Sequence, residues 1–286
     1  MNGRDLLQIQ RWTIGLSLVV FAAAGCFAQQ PRIQNAQMDT RTASSPLEAQ
    51  FRQIVQAQAS PAWIGYVLPR TPRQNGGDWD YSWGCSLEDG RNGVVVRDKD
   101  TPLQLEGPTS MYVLFRVDDH KIQRLRTLGP DCLLDAGGLP FVWINNVKPS
   151  DSVALMESLL KDTEPIGNLI YTIAYTRDPA ADAALERLSS PTQSEKVRRN
   201  VANYLADIRG RGGYNALARM LRDDPSETVR MQVVSALARN KEQDAIPAVI
   251  QAAKADKSEK VRKRAIQALA QSKDPRATRF FEDVLK

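Results

Sequence analysis

The stretch SEKVRRNVANYLA, Ser194 to Ala206, returns as SETVRMQVVSALA from Ser226 and as SEKVRKRAIQALA from Ser258. Both intervals are 32 residues (226 − 194 and 258 − 226), so no insertion separates the copies. Six places are identical in all three: Ser194, Ser226 and Ser258; Glu195, Glu227 and Glu259; Val197, Val229 and Val261; Arg198, Arg230 and Arg262; Leu205, Leu237 and Leu269; Ala206, Ala238 and Ala270. A fixed period in the range of roughly 20–50 residues marks a solenoid, whose units bury their apolar faces on one another.

Within each copy the apolar positions recur at spacings of four and three, as in Val197, Val201, Leu205 and Ile208, which is the stripe of a helix. Each Ser stands where a helix cap belongs. Asp-Pro at DDPSETVR and DPRATRFF falls at turns, where Pro opens a helix without wasting a hydrogen bond. The pattern predicts helix pairs over 164–176 with 179–188, 195–208 with 213–221, 227–240 with 245–254, and 259–271 with 276–285. An earlier helix, SDSVALMESLLK, puts Val153, Met156, Leu159 and Leu160 on one face.

The run S-E-x-V-R, then x-x-L-A, then D-x-x-A-x-x-x-[LVF] resembles a short HEAT repeat of the type seen in phycobilin lyase-like proteins. The resemblance spans 164–286, with one degenerate unit that has Pro165 and Ile166 where Val and Arg belong. It implies stacked helix pairs, and implies that Arg198, Arg230 and Arg262 bond carbonyls or an acid of the adjacent repeat. The alternative for these arginines is a basic ladder for an anionic ligand. The stretch VLFRV…RLRTLGPDCLLDAGGLPFVWI also resembles the β-rich front half of some exported bacterial HEAT-repeat proteins.

Upstream of the helices the signals change. A basic start (Arg4, Arg11) precedes the apolar run IGLSLVVFAAAGCFA, too short for a confident membrane span, so 1–28 reads as a signal peptide. Cleavage after Ala28 gives a periplasmic or secreted chain. Lipidation at Cys26 would give a lipoprotein, and an uncleaved anchor is the third reading. Residues 29–60 read as a flexible polar tether and a short helix carrying Leu47, Phe51, Ile54 and Val55 on one face. Between 61 and 148 come AWIGYVLP, NGVVVRD, PLQLEG, SMYVLFRVDD, HKIQRLRTLG and FVWINNV, broken by Gly, Pro, Asn and Asp. A small antiparallel β domain is expected there, with a hairpin turn at Asp118-Asp119-His120. The fold class is therefore α+β, a β domain followed by an all-α solenoid over 149–286.

Composition limits the chemistry. A net charge of +5, part of it in the first dozen residues, leaves no concentrated basic face for nucleic acid. Of three cysteines, Cys26 goes with the signal region and Cys85 and Cys132 remain as an even pair, which bridges in an oxidising compartment. His120 is the only histidine and sits in a turn; no metal-ligand spacing, nucleophile motif or phosphate loop occurs, so neither metal nor cofactor is expected. Trp79, Tyr81 and Trp83 alternate in DWDYSWGC, which suits one face of a strand more readily than a stacking platform for a sugar or peptide.

The reading is a non-catalytic protein-binding scaffold of the cell envelope. Its alternatives are an accessory protein of a lyase-like enzyme system and a carbohydrate- or peptide-binding envelope protein. The second helices are expected to carry the contact, through Asn215, Arg219, Arg222, Gln251, Lys254, Arg276, Arg279 and Asp283, to an acidic or mixed protein segment. Arg222, Lys254 and Lys286 are again 32 apart, with Arg187 and Arg219 as another aligned pair. A last-turn cation also answers the helix dipole, so a structural role competes with a binding one.

Overall fold

The computed structural model describes residues 31–72, 84–88, 109–161 and 166–284. The export signal with Cys26 and Ala28, the strands NGVVVRD and PLQLEG, the row Trp79, Tyr81 and Trp83, Pro165 and Lys286 lie outside them. No helix among the described residues is long and apolar enough to cross a membrane.

β3 (Ala62–Pro69), β4 (Ser110–Asp118) and β5 (Lys121–Leu128) form an antiparallel meander. The turn from β4 to β5 is Asp119-His120, both at positive φ (47° and 59°), the twist-matched hairpin turn expected from the sequence. β7 (Pro140–Asn145) then lies parallel to β3 and, on its other side, parallel to β2 (Gln37–Thr42). The sheet order is β2-β7-β3-β4-β5, and a short parallel pair joins β1 (Ile33–Gln34) to β6 (Leu134–Asp135).

Two expectations need correction. The sheet is mixed rather than antiparallel, because β7 returns alongside β3 in the same direction instead of closing a further hairpin. The 29–60 segment is not all tether and helix, since Gln37–Thr42 is an edge strand. All six of its residues are exposed, so it carries no apolar alternation to read. What holds it is backbone pairing along β7 from Gln37↔Pro140 to Thr42↔Asn145.

The sheet has two buried faces. Ile64, Tyr66, Val113, Phe115, Val142 and Ile144 pack with α1 (Leu47–Gln56), α2 (Pro149–Leu159) and the helices beyond. Trp63, Tyr112, Leu114, Phe141 and Trp143 pack on the other face with Cys85, Leu87 and Cys132. Gly65 leaves room on that second face, where an added Cβ would lie 2.8 Å from Leu114 Cδ2 and 3.0 Å from the Phe141 ring and would push on both. The Tyr66 hydroxyl meets Ser152 Oγ at 2.9 Å, fixing the first helix after the strands to the sheet.

The helices follow as pairs: α3 (Ile166–Tyr175) with α4 (Pro179–Leu188), α5 (Glu195–Ile208) with α6 (Gly210–Asp223), α7 (Glu227–Leu237) with α8 (Ala245–Ala255), and α9 (Glu259–Ala270) with α10 (Pro275–Val284). Leu205, Leu237 and Leu269 are exposed by only 3, 0 and 1%, so the three copies bury the same place. α6 starts three residues earlier than the sequence suggests, and Gly213 makes that tight junction fit: a Cβ there would stand 2.1 Å from the Leu205 carbonyl oxygen. Pro225 does not open α7 but precedes its capping Ser226, while Pro275 does begin α10. One apolar cluster runs from Phe51 under the sheet to Phe280 in α10. The boundary at 148/149 therefore separates element types, not two cores.

Candidate protein-binding surface

The repeated phrase builds a ladder between neighbouring repeats. Ser194, Ser226 and Ser258 each cap their own helix by accepting from the backbone N–H of Val197, Val229 and Val261. The same hydroxyls also reach backward: Ser226 Oγ donates to Glu195 at 2.8 Å, and Ser258 Oγ donates to Glu227 at 2.8 Å. Glu195 takes a further bond from Thr228, and Glu227 one from Lys260 at 2.6 Å. These bonds hold both carboxyls below the usual carboxylate range, Glu195 first through Thr228 and Glu227 first through Lys260.

The arginines reach forward. Arg198 forks onto Asp224 at 2.7 and 3.0 Å, and Arg230 onto Asp256 at 3.0 and 3.2 Å. Both pairs are buried, with side-chain exposures of 6 and 1% in the first and 2 and 7% in the second. The third guanidinium N–H group bonds carbonyls of the preceding loop, Gln193 for Arg198 and Asp224 for Arg230 (2.9 Å). Buried charges are tolerated because each fork and carboxylate is matched and the leftover donors are satisfied. These two arginines are structural rungs, filled from within. Arg262 donates to the Asp256 carbonyl at 2.7 Å.

The ladder closes one row: α3 packs on α5, α5 on α7 and α7 on α9. The second helices form the other row, where α6 meets α8 and α8 meets α10. Along it Asn215, Arg219, Arg222, Gln251, Lys254, Arg279 and Asp283 are exposed, and Arg276 is half-buried. Several of these cations already face acids within the chain. Arg219 pairs with Glu186 of the preceding second helix, Arg222 with Asp223 at 2.7 Å, and Arg276 forks onto Asp274 at 2.9 and 2.7 Å. The Arg276 side chain is the main reason the Asp274 carboxyl falls to about 2. Arg187 likewise forks onto Glu157 of α2, and Lys254 lies 5.8 Å above the Phe280 ring. The basic row is thus partly committed within the chain: Arg187, Arg219 and Lys254 contact a neighbouring helix, while Arg222 and Arg276 pair with acids one and two residues away.

On the sheet, the outer face is clamped. Cys85 and Cys132 form a disulfide with Cα atoms 5.5 Å apart. Arg126 donates to the carbonyls of Ser86 (2.8 Å) and Gly84 (2.7 Å), while Arg116 forks onto Glu88, which also accepts from the Trp63 indole at 2.8 Å. His120 is exposed, and its Nδ1 lies 2.8 Å from the Gln56 carbonyl, so it ties the hairpin turn to α1. Among the described residues no cluster of His, Cys, Asp and Glu could hold a metal ion.

A family model of HEAT repeats matches residues 153–238 and again 215–286, so HEAT repeats are found over 153–286. No curated protein matches the chain. The sequence missed the acids of the ladder, although Asp224 and Asp256 also stand 32 apart and could have been read as the arginines' partners. It also missed Glu88, Arg116 and Trp63, whose meeting depends on a loop folding over the sheet and follows no spacing in the chain.

Proposed function

We propose that the stacked HEAT repeats are a non-catalytic scaffold for an acidic or mixed-charge protein segment, bound along the second helices. One observation carries this reading. A row of exposed polar and basic side chains, Asn215, Arg219, Arg222, Gln251, Lys254 and Arg279, is held on a frame fixed by buried rungs. A stack of helix pairs offers an extended surface that needs no catalytic group. The acids now facing Arg219 and Arg222 are themselves exposed, and solvent screens such pairs, so carboxylates of a ligand can exchange with them. Arg276 and Asp283 extend the same row at its far end.

Photo-crosslinking groups placed at Asn215 and Gln251 test the surface, with Gln267 on a first helix as control. Protein should be captured at the two second-helix positions, less so as salt rises, and not after Arg219→Glu with Arg222→Glu in a folded chain. Equal capture at Gln267 would reject this face.

The scaffold is further proposed to act outside the cytoplasm. Support comes from the basic start and short apolar run ending near Ala28, and from the Cys85–Cys132 disulfide, a bond that persists in oxidising compartments. Intact mass of the envelope-purified protein decides between a chain starting at Gln29, one lipidated on Cys26, and one retaining Met1.

A further inference from the structure

Beside the buried rungs, α5 and α7 leave a groove of about 580 Å³ between them, lined by Glu195, Lys196, Arg199, Asn200, Asn203 and Gln232. Every lining residue is polar, and the fold engages only part of what they offer. Glu195 is turned across the seam to the hydroxyls of Ser226 and Thr228. Asn200 donates to the Lys196 carbonyl of its own helix at 2.8 Å. Gln232 donates across the groove to Asn203 Oδ1 at 2.5 Å. That bond leaves the Asn203 amide N–H groups and the Gln232 amide carbonyl side by side at the groove, with no other partner among the described residues.

The charge at the groove is uneven as well. In the next seam Glu227 is met by a cation, Lys260, whereas here Glu195 is met by the neutral Thr228. Arg199, one turn on from Glu195, is exposed and pairs with no carboxylate among the described residues. Its counterpart 32 residues on is Met231, and that of Asn203 is Ser235, whose hydroxyl is taken by Arg264 at 2.8 Å. The guanidinium and the open amide pair therefore occur together in this seam and not in the next.

Two unlike recognition groups at a set distance specify a ligand. Arg199 and Asn203 stand four residues apart on one helix, about 6 Å along its axis. A guanidinium takes a carboxylate through two parallel N–H bonds. An amide N–H beside an amide carbonyl matches the C=O and N–H of one extended peptide residue, which point the same way. An extended chain advances about 3.3–3.6 Å per residue, so the carboxylate and the matched residue lie two residues apart.

We propose that this groove binds an extended peptide carrying a carboxylate two residues from the one whose backbone meets Asn203 and Gln232. The carboxylate is that of an acidic side chain or of a chain terminus. This site lies on the first helices and the surface proposed above on the second, so either assignment can fail alone.

The test is an NMR titration of the whole chain, read on the side-chain amide signals of Asn203 and Gln232. Three probes are compared: acetyl-Ala-Ala-Asp-Ala amide, acetyl-tetra-alanine with a free carboxylate, and acetyl-tetra-alanine amide. At least one carboxylate probe should shift both signals saturably, and which one does so tells side chain from terminus. The neutral amide should shift neither. Arg199→Met and Asn203→Ser, each the residue of the next repeat, should weaken binding roughly tenfold or more, read on Gln232. Arg211→Ala should leave it unchanged. Binding undiminished by Arg199→Met overturns the proposal, as does an equal response to the neutral probe, or signals that no probe moves at millimolar concentration. Shifts confined to Asn215 and Gln251 overturn it too, since the acidic probe would then be held on the second helices.

Discussion

The sheet and the helical stack solve one problem by opposite means. In the sheet, neighbours come from far apart in the chain: β2 at Gln37–Thr42 lies on β7 at Pro140–Asn145, and the outer face is sealed by a disulfide closing a separation of 47 residues. In the stack, every joining contact spans about one repeat, 26 residues for the arginine rungs and 31 for the serine–glutamate bonds. A repeat unit contacts only its neighbours, so its stability is close to a sum of unit and interface contributions. The sheet has no such modularity, and long-range pairing must overcome more loop entropy before it is rewarded. A change in the sheet should therefore be felt across the whole sheet, and a change in a rung at one interface.

Four changes probe that contrast, from the largest expected effect to the smallest. Cys85→Ser with Cys132→Ser should cost about 4 kcal/mol by freeing the unfolded chain. Hydrogen exchange should quicken throughout β3, β4 and β5 while α7 and α9 keep their protection; equal loss in the helices would show the two regions to be one cooperative unit. Leu237→Ala should cost about 2–5 kcal/mol, because it empties a fully buried site between two neighbours. A urea-melt loss below about 1 kcal/mol would show that this leucine row is not the core. Ser226→Ala removes a helix cap and the Glu195 bond together, for about 1 kcal/mol, read in the same melts.

The smallest effect is in pH. Glu195 and Glu227 titrate lower in the folded chain than unfolded, so their contribution is present above the unfolded glutamate range of about pH 4–5. It is lost as pH falls through the lower folded values. Glu195→Gln with Glu227→Gln should flatten the acid limb of the stability curve, and an unchanged limb would remove these carboxylates from the seam.

The two regions also differed in how far they could be read. Period and identity at Ser226, Val229 and Leu237 placed the helix pairs, because in a repeat the local phrase and the long-range contact are the same information. The strands β3, β4 and β5 were legible from their β-branched and aromatic runs between turn residues and from the Asp119-His120 turn. The parallel placement of β7 was not, since direction depends on how the chain returns and leaves no mark in composition. Nor was β2, whose Gln37, Asp39 and Arg41 are polar because that edge faces water. Of the candidate surface, Asn215, Gln251 and Arg279 were placed correctly as exposed, but the commitments of Arg219 to Glu186 and Arg276 to Asp274 were hidden. The Arg219 bond depends on which acids the stacking brings into reach, whereas the Arg276 bond is local, made to an aspartate two residues earlier.

The central claim is that the repeated phrase joins neighbouring repeats through buried Arg–Asp rungs, and a double-mutant cycle on Arg230 and Asp256 tests it directly. Arg230→Met alone should leave Asp256 buried and uncompensated, and Asp256→Leu alone should strand the guanidinium, each costing about 3–5 kcal/mol in urea melts. The double variant should recover much of that loss, giving a coupling above about 2 kcal/mol between residues of successive repeats. Costs that simply add, within about 0.5 kcal/mol, would mean the rung does not join the repeats and would contradict the account.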